Sequence, residues 1–311
     1  MGPTYSLAAP DNPIACAVLM VPYRRCDGGR HDDKMGACMR GQRDGQSARP
    51  EPLRVGLIGL GAIGGAVMRL LAERPTEAII VGALVRDPGR ARAAALPFPL
   101  VATPDALLAL RPAIVVEAGG RAALATHAPA ILRAGRELLV VSVGALADPA
   151  TYDALLAAAH AGGGRIIVAS GAIGALDALA AAALGGLDRV THTTRKPAHI
   201  LLPADEAAAL TAAREIFRGS AREGALRFPE SINVVAAVAL AGLGFDRTEV
   251  RVIADPAVKR NGHEVVAEGA FGTLRFTIEN IPSAENPRTG RLVALSIVRA
   301  LLGRRAPLVI G

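Results

Sequence analysis

Short apolar runs alternate with amphipathic segments from residue 53 to residue 169. The run at 55–58 has no polar alternation, which is typical of a strand buried on both faces. The apolar residues between Ile63 and Leu71 recur at helical spacing and predict a helix with one apolar face. Strands are also predicted at 78–85, 113–117, 137–143 and 165–169, and helices at 90–96, 105–110, 122–134 and 149–161. Strands separated by helices predict an α/β domain, with a parallel sheet and helices on both faces.

The pattern changes after Ser170. An Ala-rich helix is predicted at 176–184, and strand-like alternation then predicts strands at 190–195, 248–254, 264–270 and 273–279. These strands favour a second, α+β domain with a mostly antiparallel sheet. A helix at 289–302 and a strand at 307–310 are expected to pack back on the first domain. We therefore expect a first domain at 53–170, a second at 171–285 and a C-terminal segment at 286–311.

Residues 1–52 are dense in Gly, Asp, Arg and Pro and lack apolar periodicity, which predicts a disordered extension. Its apolar patch at 14–21 is too short to span a membrane and follows no charged segment of the kind that a secretory signal needs. Cys16, Cys26 and Cys38 all lie in this extension, without the spacing of zinc ligands or of a disulfide framework. The predicted folded part therefore has no thiol nucleophile, and a reducing, cytoplasmic compartment is expected.

The composition adds two limits. Of the 311 residues, 51% are hydrophobic and 20% are charged, which allows one large or two ordinary domains and excludes a disordered chain. The formal net charge is +7, but the arginines are scattered and accompany neither a Lys/Arg block nor an aromatic stacking platform. We therefore expect small anionic ligands as partners, and neither nucleic acid nor a membrane.

The junction between the first strand and the first helix is GLGAIG at 59–64, an intact G-x-G-x-x-G. In a dinucleotide site the first glycine allows a tight turn, the second lets the backbone approach a pyrophosphate, and the third lets helix pack close to strand. The motif is weak evidence alone, but a preceding strand and a following helix are the required context. The sequence therefore predicts a Rossmann-type, doubly wound sheet, with NAD or NADP bound by Gly59, Gly61, Ala62, Ile63 and Gly64.

Other loops follow the predicted strands, at 85–88, 118–121, 144–146 and 170–174. Ligands of an open parallel sheet lie beyond the carboxyl ends of its strands, so these loops are expected to face the cofactor. Ala118 and Gly119 are predicted cofactor contacts for this reason.

The loop after the second strand decides the ribose contact. Arg86 can pair with a 2′-phosphate, with Arg90 or Arg92 assisting, whereas Asp87 can bind a 2′-hydroxyl. Arg86 slightly favours acceptance of NADP, alongside NAD.

The motifs of residues 53–303 together resemble those of one family, the L-aspartate dehydrogenases. The resemblance covers nearly all of the predicted folded part and leaves the N-terminal extension outside it. It is carried by GLGAIG at 59–64, EAGG at 117–120, VSVGAL at 141–146, SGAIGALDAL at 170–179, RKP at 195–197, AGLGFDRTEVRVIADP at 241–256, His263 with GAFG at 269–272, and NPRTG at 286–290.

The resemblance implies an enzyme that oxidises L-aspartate to iminosuccinate with NAD or NADP, or runs the reverse reductive amination. The imine hydrolyses to oxaloacetate and ammonia or feeds NAD biosynthesis. It also implies that Ala172 and Asn233 contact the cofactor, that His263 is catalytic and that Lys196 binds a substrate carboxylate. Asn233 and His263 are expected beside the substrate as well. A proline familiar in the family stands as Ser170 here, a departure that touches none of these contacts.

The side-chain chemistry suits this reaction. Removing a hydride from Cα requires an unprotonated amine, and a histidine can accept that proton or activate the hydrolytic water. A substrate with two carboxylates favours cationic partners such as Lys196 and Arg195. Without the resemblance, His263 is equally a polar loop residue, Asn233 a helix-start residue and Lys196 a solvated strand end.

Two other classes fit parts of the sequence. One is a related two-domain reductase of the dihydrodipicolinate reductase or homoserine dehydrogenase type, although the adjacent paired histidines of the former do not occur. The other is a non-catalytic NAD(P) sensor or DNA-bound regulator, which would need a helix-turn-helix or a basic stripe. His192 and His199 flank Lys196 and can line the same cleft or lie at the surface. We expect a homodimer or homotetramer whose contact comes from the second domain.

Overall fold

The computed structural model describes residues 51–89, 96–228, 232–283 and 289–310. Pro52–Gly311 forms one compact unit. Two predicted segments fall largely outside the described residues: the extension up to residue 50, with its three cysteines, and residues 90–95 of the helix predicted at 90–96. Within the described ranges, no helix is long and apolar enough to cross a membrane.

A parallel sheet forms the first half of this unit. Its six strands are β1 Leu53–Ile58, β2 Ala78–Leu84, β3 Leu100–Val101, β4 Ile114–Glu117, β5 Glu137–Val140 and β6 Arg165–Val168. They lie in the order β3-β2-β1-β4-β5-β6, and the order reverses between β1 and β4. Ligands of doubly wound sheets bind at such a reversal, beyond the carboxyl ends of the strands. The predicted fold class is confirmed.

The apolar runs form strands because both faces of this sheet are covered. Val115 and Leu138 belong to the core cluster of α3 (Arg121–Arg133) and α4 (Pro149–Gly162). Their neighbours Val116 and Leu139 belong to the cluster of α1 (Ala62–Ala72) on the other face. Successive residues of a strand point to opposite faces, so two-sided burial requires an apolar residue at every position.

A mixed sheet forms the second half, with β7 Leu187–Pro197, β8 Arg214–Ser220, β9 Glu249–Asp255, β10 Asn261–Gly269 and β11 Gly272–Asn280. The order is β11-β10-β7-β9-β8, and every neighbouring pair is antiparallel except β7 with β9. One face packs Val190 and Val265 against Leu179 and Val238 of two helices. The opposite face carries ion pairs, among them Arg189 with Glu268. The mostly antiparallel α+β part is also as predicted.

The remaining helices connect and cover these sheets. They are α2 Pro104–Ala109, α5 Leu176–Gly185, α6 Ala198–Leu201, α7 Ala204–Ala209, α8 Ala221–Arg227, α9 Ile232–Ala241, α10 Gly244–Arg247 and α11 Leu292–Leu302. The C-terminal helix α11 packs on α1, because Ile297 and Leu301 share a buried cluster with Val67 and Leu71.

Three local predictions differ from the structure. The strand predicted at 307–310 is wrong, since Leu308, Val309 and Ile310 are exposed and pair with no strand of the described chain. The strand predicted to residue 143 ends at Val140, and a 3-10 helix, Val143–Ala147, begins instead. The strands β3 and β8 were not predicted, because β3 has two residues and the edge strand β8 is largely polar. The domain boundaries at 170 and 285 stay predictions.

Candidate active site

The glycine loop between β1 and α1 packs against the turn after β4. Gly59 has φ +88°, and a Cβ there would lie 2.5 Å from Cα of Gly119. A Cβ on Gly64 would lie 2.5 Å from the carbonyl oxygen of Gly59. At Gly61, in contrast, no atom of the described residues other than Gly61 and its two chain neighbours lies within 4 Å of the Cβ position. The first and third glycines therefore shape the loop, while the second leaves its surface open to a ligand.

The N-terminus of α1 suits a pyrophosphate. Gly61 is the N-cap residue, and no side chain within the described ranges caps the helix. The first backbone N–H groups and the positive end of the helix dipole are therefore available to phosphate oxygens. The loop also lies at the carboxyl end of β1, beside the reversal of strand order. These features fit a dinucleotide such as NAD or NADP.

Glu117 fixes the neighbouring edge of the parallel sheet. Its buried carboxylate accepts hydrogen bonds of 2.9 Å from the backbone N–H groups of Gly119, Gly120 and Ser142 and from the Ser142 hydroxyl. Burial raises the pKa of this carboxyl, and the hydrogen bonds oppose the rise. The network ties the turn after β4 to the end of β5 and so holds the backbone against which Gly59 packs.

The strand register of the mixed sheet brings polar side chains from three strands, β7, β10 and β11, next to one another. Gly262 of β10 pairs with Arg195 of β7, which places Asn261 beside Lys196, and Asn261 pairs with Asn280 of β11. His263 and Thr194 form the next pair. Side chains alternate along a strand, so all five of these polar side chains share one face of the sheet: Thr194, Lys196, Asn261, His263 and Asn280.

His263 is enclosed by its neighbours and is only 8% exposed. Its Nδ1 lies 3.3 Å from the hydroxyl of Thr194, and the His192 ring stacks on it with centroids 5.4 Å apart. Burial, followed by the positive charge of Lys196, lowers the pKa of His263 to about 4. The ring is therefore neutral at pH 7. When Nδ1–H donates to Thr194, Nε2 has the lone pair that a base requires.

His192 lies entirely inside the sheet's covered face. Burial, followed by the proximity of His263, lowers its pKa well below the usual range of histidine, so this ring is neutral too. His192 was predicted to line the cleft or to lie at the surface. Both alternatives are wrong, because the ring is buried beneath His263. His199, in contrast, is exposed on α6.

A cleft of about 200 Å³ lies between the two sheets. It brings together five of the predicted site residues, namely Ile63, Ala172, Lys196, Asn233 and His263. Asn280 Nδ2 donates to the carbonyl oxygen of Ala172 at 3.1 Å, which joins the mixed sheet to the loop after β6. The backbone N–H of Gly144 donates to Asn233 Oδ1 at 2.9 Å, which joins α9 to the loop after β5.

Other predicted residues lie beside the cleft or away from it. Gly59, Gly61, Ala62, Gly64, Ala118 and Gly119 form the adjoining loop edge. Arg86 is exposed after β2, outside this cleft, while Asp87 accepts a hydrogen bond from the Gly89 N–H. Arg195, expected beside the substrate, instead forms an ion pair with Asp255, on the face opposite to Lys196. Arg90 and Arg92 lie outside the described residues.

Sequence reasoning missed Thr194, Asn261 and Asn280 as parts of this site. The available signal was spacing. Thr194 lies two residues before Lys196, and Asn261 two residues before His263, so each had to share a strand face with a predicted site residue. Polar residues at such inward positions are unusual and indicate a site rather than a core.

A glycine loop of the kind that binds dinucleotides adjoins a cleft that is lined by a buried, neutral histidine and a lysine. This fold and site define a two-domain, NAD(P)-dependent oxidoreductase. Residues 177–304 match the family model described as aspartate dehydrogenase, C-terminal, and residues 59–169 match that of the homoserine dehydrogenase NAD binding domain. Together with the relatives described next, these matches show that the chain belongs to the aspartate dehydrogenase family.

The matches with known proteins cover almost the whole length of each relative. L-aspartate dehydrogenase 1 of Bordetella pertussis is 45% identical over 252 residues, which cover 81% of this chain and 96% of the relative. L-aspartate dehydrogenase of Pseudomonas aeruginosa is 46% identical over 261 residues, which cover 80% of this chain and 96% of the relative. The crystal structure of aspartate dehydrogenase from Thermotoga maritima superposes with a TM-score of 0.67 at 26% identity and covers 83% of this chain and 99% of that one.

Proposed function

We propose that the cleft at His263 is where this chain oxidises L-aspartate to iminosuccinate with NAD or NADP. One observation carries the proposal: a neutral, buried imidazole and a lysine share one sheet face and line the same cleft as Ala172 of the loop after β6. The imidazole can take a proton and the lysine can bind a carboxylate. The glycine loop lies at the neighbouring sheet edge.

The cofactor is held by the loop edge. Gly59, Gly61, Ala62, Ile63, Gly64, Ala118 and Gly119 form its binding surface, and Ala172 with Asn233 contacts it at the cleft. When bound, NAD(P) accepts the hydride that leaves Cα of the substrate. Arg86 is exposed after β2, and a guanidinium at this position can pair with a 2′-phosphate, which supports acceptance of NADP alongside NAD.

Lys196 binds one of the two substrate carboxylates, while His263 accepts a proton from the substrate ammonium. The two carboxylates of bound L-aspartate add negative charge near His263 and so raise the pKa of the ring from its value of about 4. The base therefore becomes stronger when substrate is present. With the amine neutral, its lone pair forms the C=N bond as the Cα–H bond breaks. Water then adds to the protonated imine and gives oxaloacetate and ammonium.

The test is reduction of NAD or NADP at 340 nm with L-aspartate, D-aspartate, L-glutamate and L-homoserine. We expect turnover with L-aspartate, and a loss of about 10²- to 10⁴-fold in kcat for His263→Ala, since this is the usual contribution of a general base. The exposed His160→Ala is the matched control and is expected to retain activity. Binding of NADPH without turnover of any amino acid would contradict the proposal.

A cytoplasmic homodimer or homotetramer is part of the same proposal. Support for assembly comes from β11, a nine-residue strand at the edge of the mixed sheet, because long edge strands are usually covered. Light scattering coupled to size exclusion measures the assembly state. A mass of one chain at micromolar concentration would contradict it.

A further inference from the structure

Asn261 is the first residue of β10 and lines the cleft between Lys196 and Asn280. Its Oδ1 is buried and has no hydrogen-bond partner among the described residues. Its neighbour Asn280 donates through Nδ2 to the carbonyl oxygen of Ala172. A buried carbonyl oxygen without a donor is destabilising, and in native proteins such an atom usually awaits a ligand or a water molecule. Asn261 is thus an acceptor on the wall of a substrate cleft.

The chemistry of the substrate restricts what can fill this position. Both carboxylates of L-aspartate are acceptors only, and its α-amino group is its only donor. Since Lys196 lies beside Asn261, the two residues offer a cation and an acceptor on neighbouring strands. We propose that Asn261 Oδ1 accepts a hydrogen bond from the α-amino group of L-aspartate while Lys196 binds a carboxylate. This inference rests on the proposed function of the cleft.

The hydrogen bond is expected to strengthen during the reaction. As hydride leaves Cα, the nitrogen lone pair forms the C=N bond and the nitrogen becomes cationic. Its N–H groups become stronger donors, and hydrogen bonds from charged donors are stronger than neutral ones. Asn261 therefore favours the transition state of hydride transfer over the neutral-amine complex that directly precedes it, and is expected to lower the barrier of that step.

The same contact predicts a preference between L-aspartate and D-aspartate. In this arrangement Lys196 contacts a carboxylate and Asn261 contacts the nitrogen. The base His263 contacts the proton that leaves the nitrogen. Fixing the carboxylate and the nitrogen leaves one orientation of the Cα–H bond for each enantiomer. L-aspartate and D-aspartate would then direct this bond to different sides of the cleft.

The experiment separates amine recognition from carboxylate recognition. The enzyme is saturated with NADH, so that aspartate cannot be oxidised, and is titrated calorimetrically with L-aspartate and with succinate, which lacks the amine. For Asn261→Leu we expect aspartate binding to weaken about 10- to 100-fold, in line with a hydrogen bond to a charged group, and succinate binding to change less than about threefold. Thr211→Leu, at an exposed position outside the cleft lining and outside β11, is the matched control.

Asn261→Asp is the second variant for the same calorimetric titrations. It keeps the acceptor, so aspartate is expected to bind more tightly relative to succinate than in Asn261→Leu. The added carboxylate repels the carboxylates of both ligands, but it attracts the ammonium, which only aspartate has. Equal weakening of the two ligands in both variants would show that the amide N–H₂ binds a carboxylate and would overturn the inference. Wild-type turnover of L-aspartate in the 340 nm assay shows separately whether the proposed function holds, and an unchanged NADH affinity shows that each variant is folded.

Discussion

The two walls of the cleft are built in different ways. The cofactor edge consists of backbone: three glycines within six residues, the free N–H groups of α1 and a turn held by Glu117. The substrate wall consists of side chains from β7, β10 and β11, which come together through strand register alone. A backbone site tolerates an added atom only where open space remains, whereas a side-chain site tolerates exchange of one group at a measurable cost. The two walls should therefore respond differently to substitution.

The largest contrast is expected within the glycine loop itself. Gly59→Ala adds a Cβ 2.5 Å from Cα of Gly119 at a φ of +88°, so we expect the free energy of unfolding to fall by about 2–5 kcal/mol. Gly61→Ala meets no described atom within 4 Å, so stability should change by less than about 1 kcal/mol while NADPH affinity falls about tenfold or more. Urea denaturation and NADPH titration measure the two effects. Equal unfolding free energies for the two variants would contradict the division between shaping and binding glycines.

Glu117→Gln tests whether a side chain stabilises the cofactor edge. The carboxylate accepts only, at both oxygens, so an amide N–H₂ would face at least one N–H donor. We expect a loss of about 2–4 kcal/mol, the usual effect of leaving a buried donor unpaired near a disrupted charged network. Thermal denaturation measures it, and the exposed Glu73→Gln serves as the control. A Glu117→Gln variant as stable as this control would show that the network is dispensable.

Lys196→Met tests the substrate wall and its electrostatics together. Loss of a charge-assisted contact should weaken L-aspartate binding about 10- to 100-fold. Removing the positive charge leaves burial as the main cause of the low His263 pKa, so this pKa should rise from about 4 yet stay below 6.5. The acid limb of the kcat/KM profile, which reports the free enzyme, should therefore move to higher pH. An acid limb at the wild-type position would contradict the coupling of Lys196 to His263.

The smallest effect is expected at Arg86, at the exposed margin of the cofactor edge. An exposed ion pair contributes about 0.2–1 kcal/mol, so Arg86→Ala should raise the KM for NADP by about two- to fivefold at most. The KM for NAD should be unchanged, because NAD lacks the 2′-phosphate. Equal changes for both cofactors would show that Arg86 does not read the ribose.

Sequence patterns predicted the cofactor edge, which consists of backbone, better than the substrate wall, which consists of side chains. The glycines of 59–64 and the strands around them are contiguous, so spacing alone identified the loop and its fold class. Lys196 and His263 were identified through family resemblance, and their neighbours Thr194, Asn261 and Asn280 were missed. A strand pattern gives the face of each residue but not the partner strand. Register here depends on pairing between residues far apart in the chain, 69 residues for Thr194 with His263 at the site and 82 residues for Leu187 with Gly269.

The sequence by itself determined the parallel sheet, the glycine loop and the family, because local periodicity and short motifs encode them. Only the tertiary structure showed that Arg195 pairs with Asp255, that His192 is buried beneath His263 and that residues 307–310 form no strand. It also placed Asn261 beside Lys196, with an Oδ1 that has no hydrogen-bond partner in the part of the chain that the structure describes. The physical reason is that burial, ion pairing and pKa depend on which distant strands become neighbours, a choice made by packing of the whole unit.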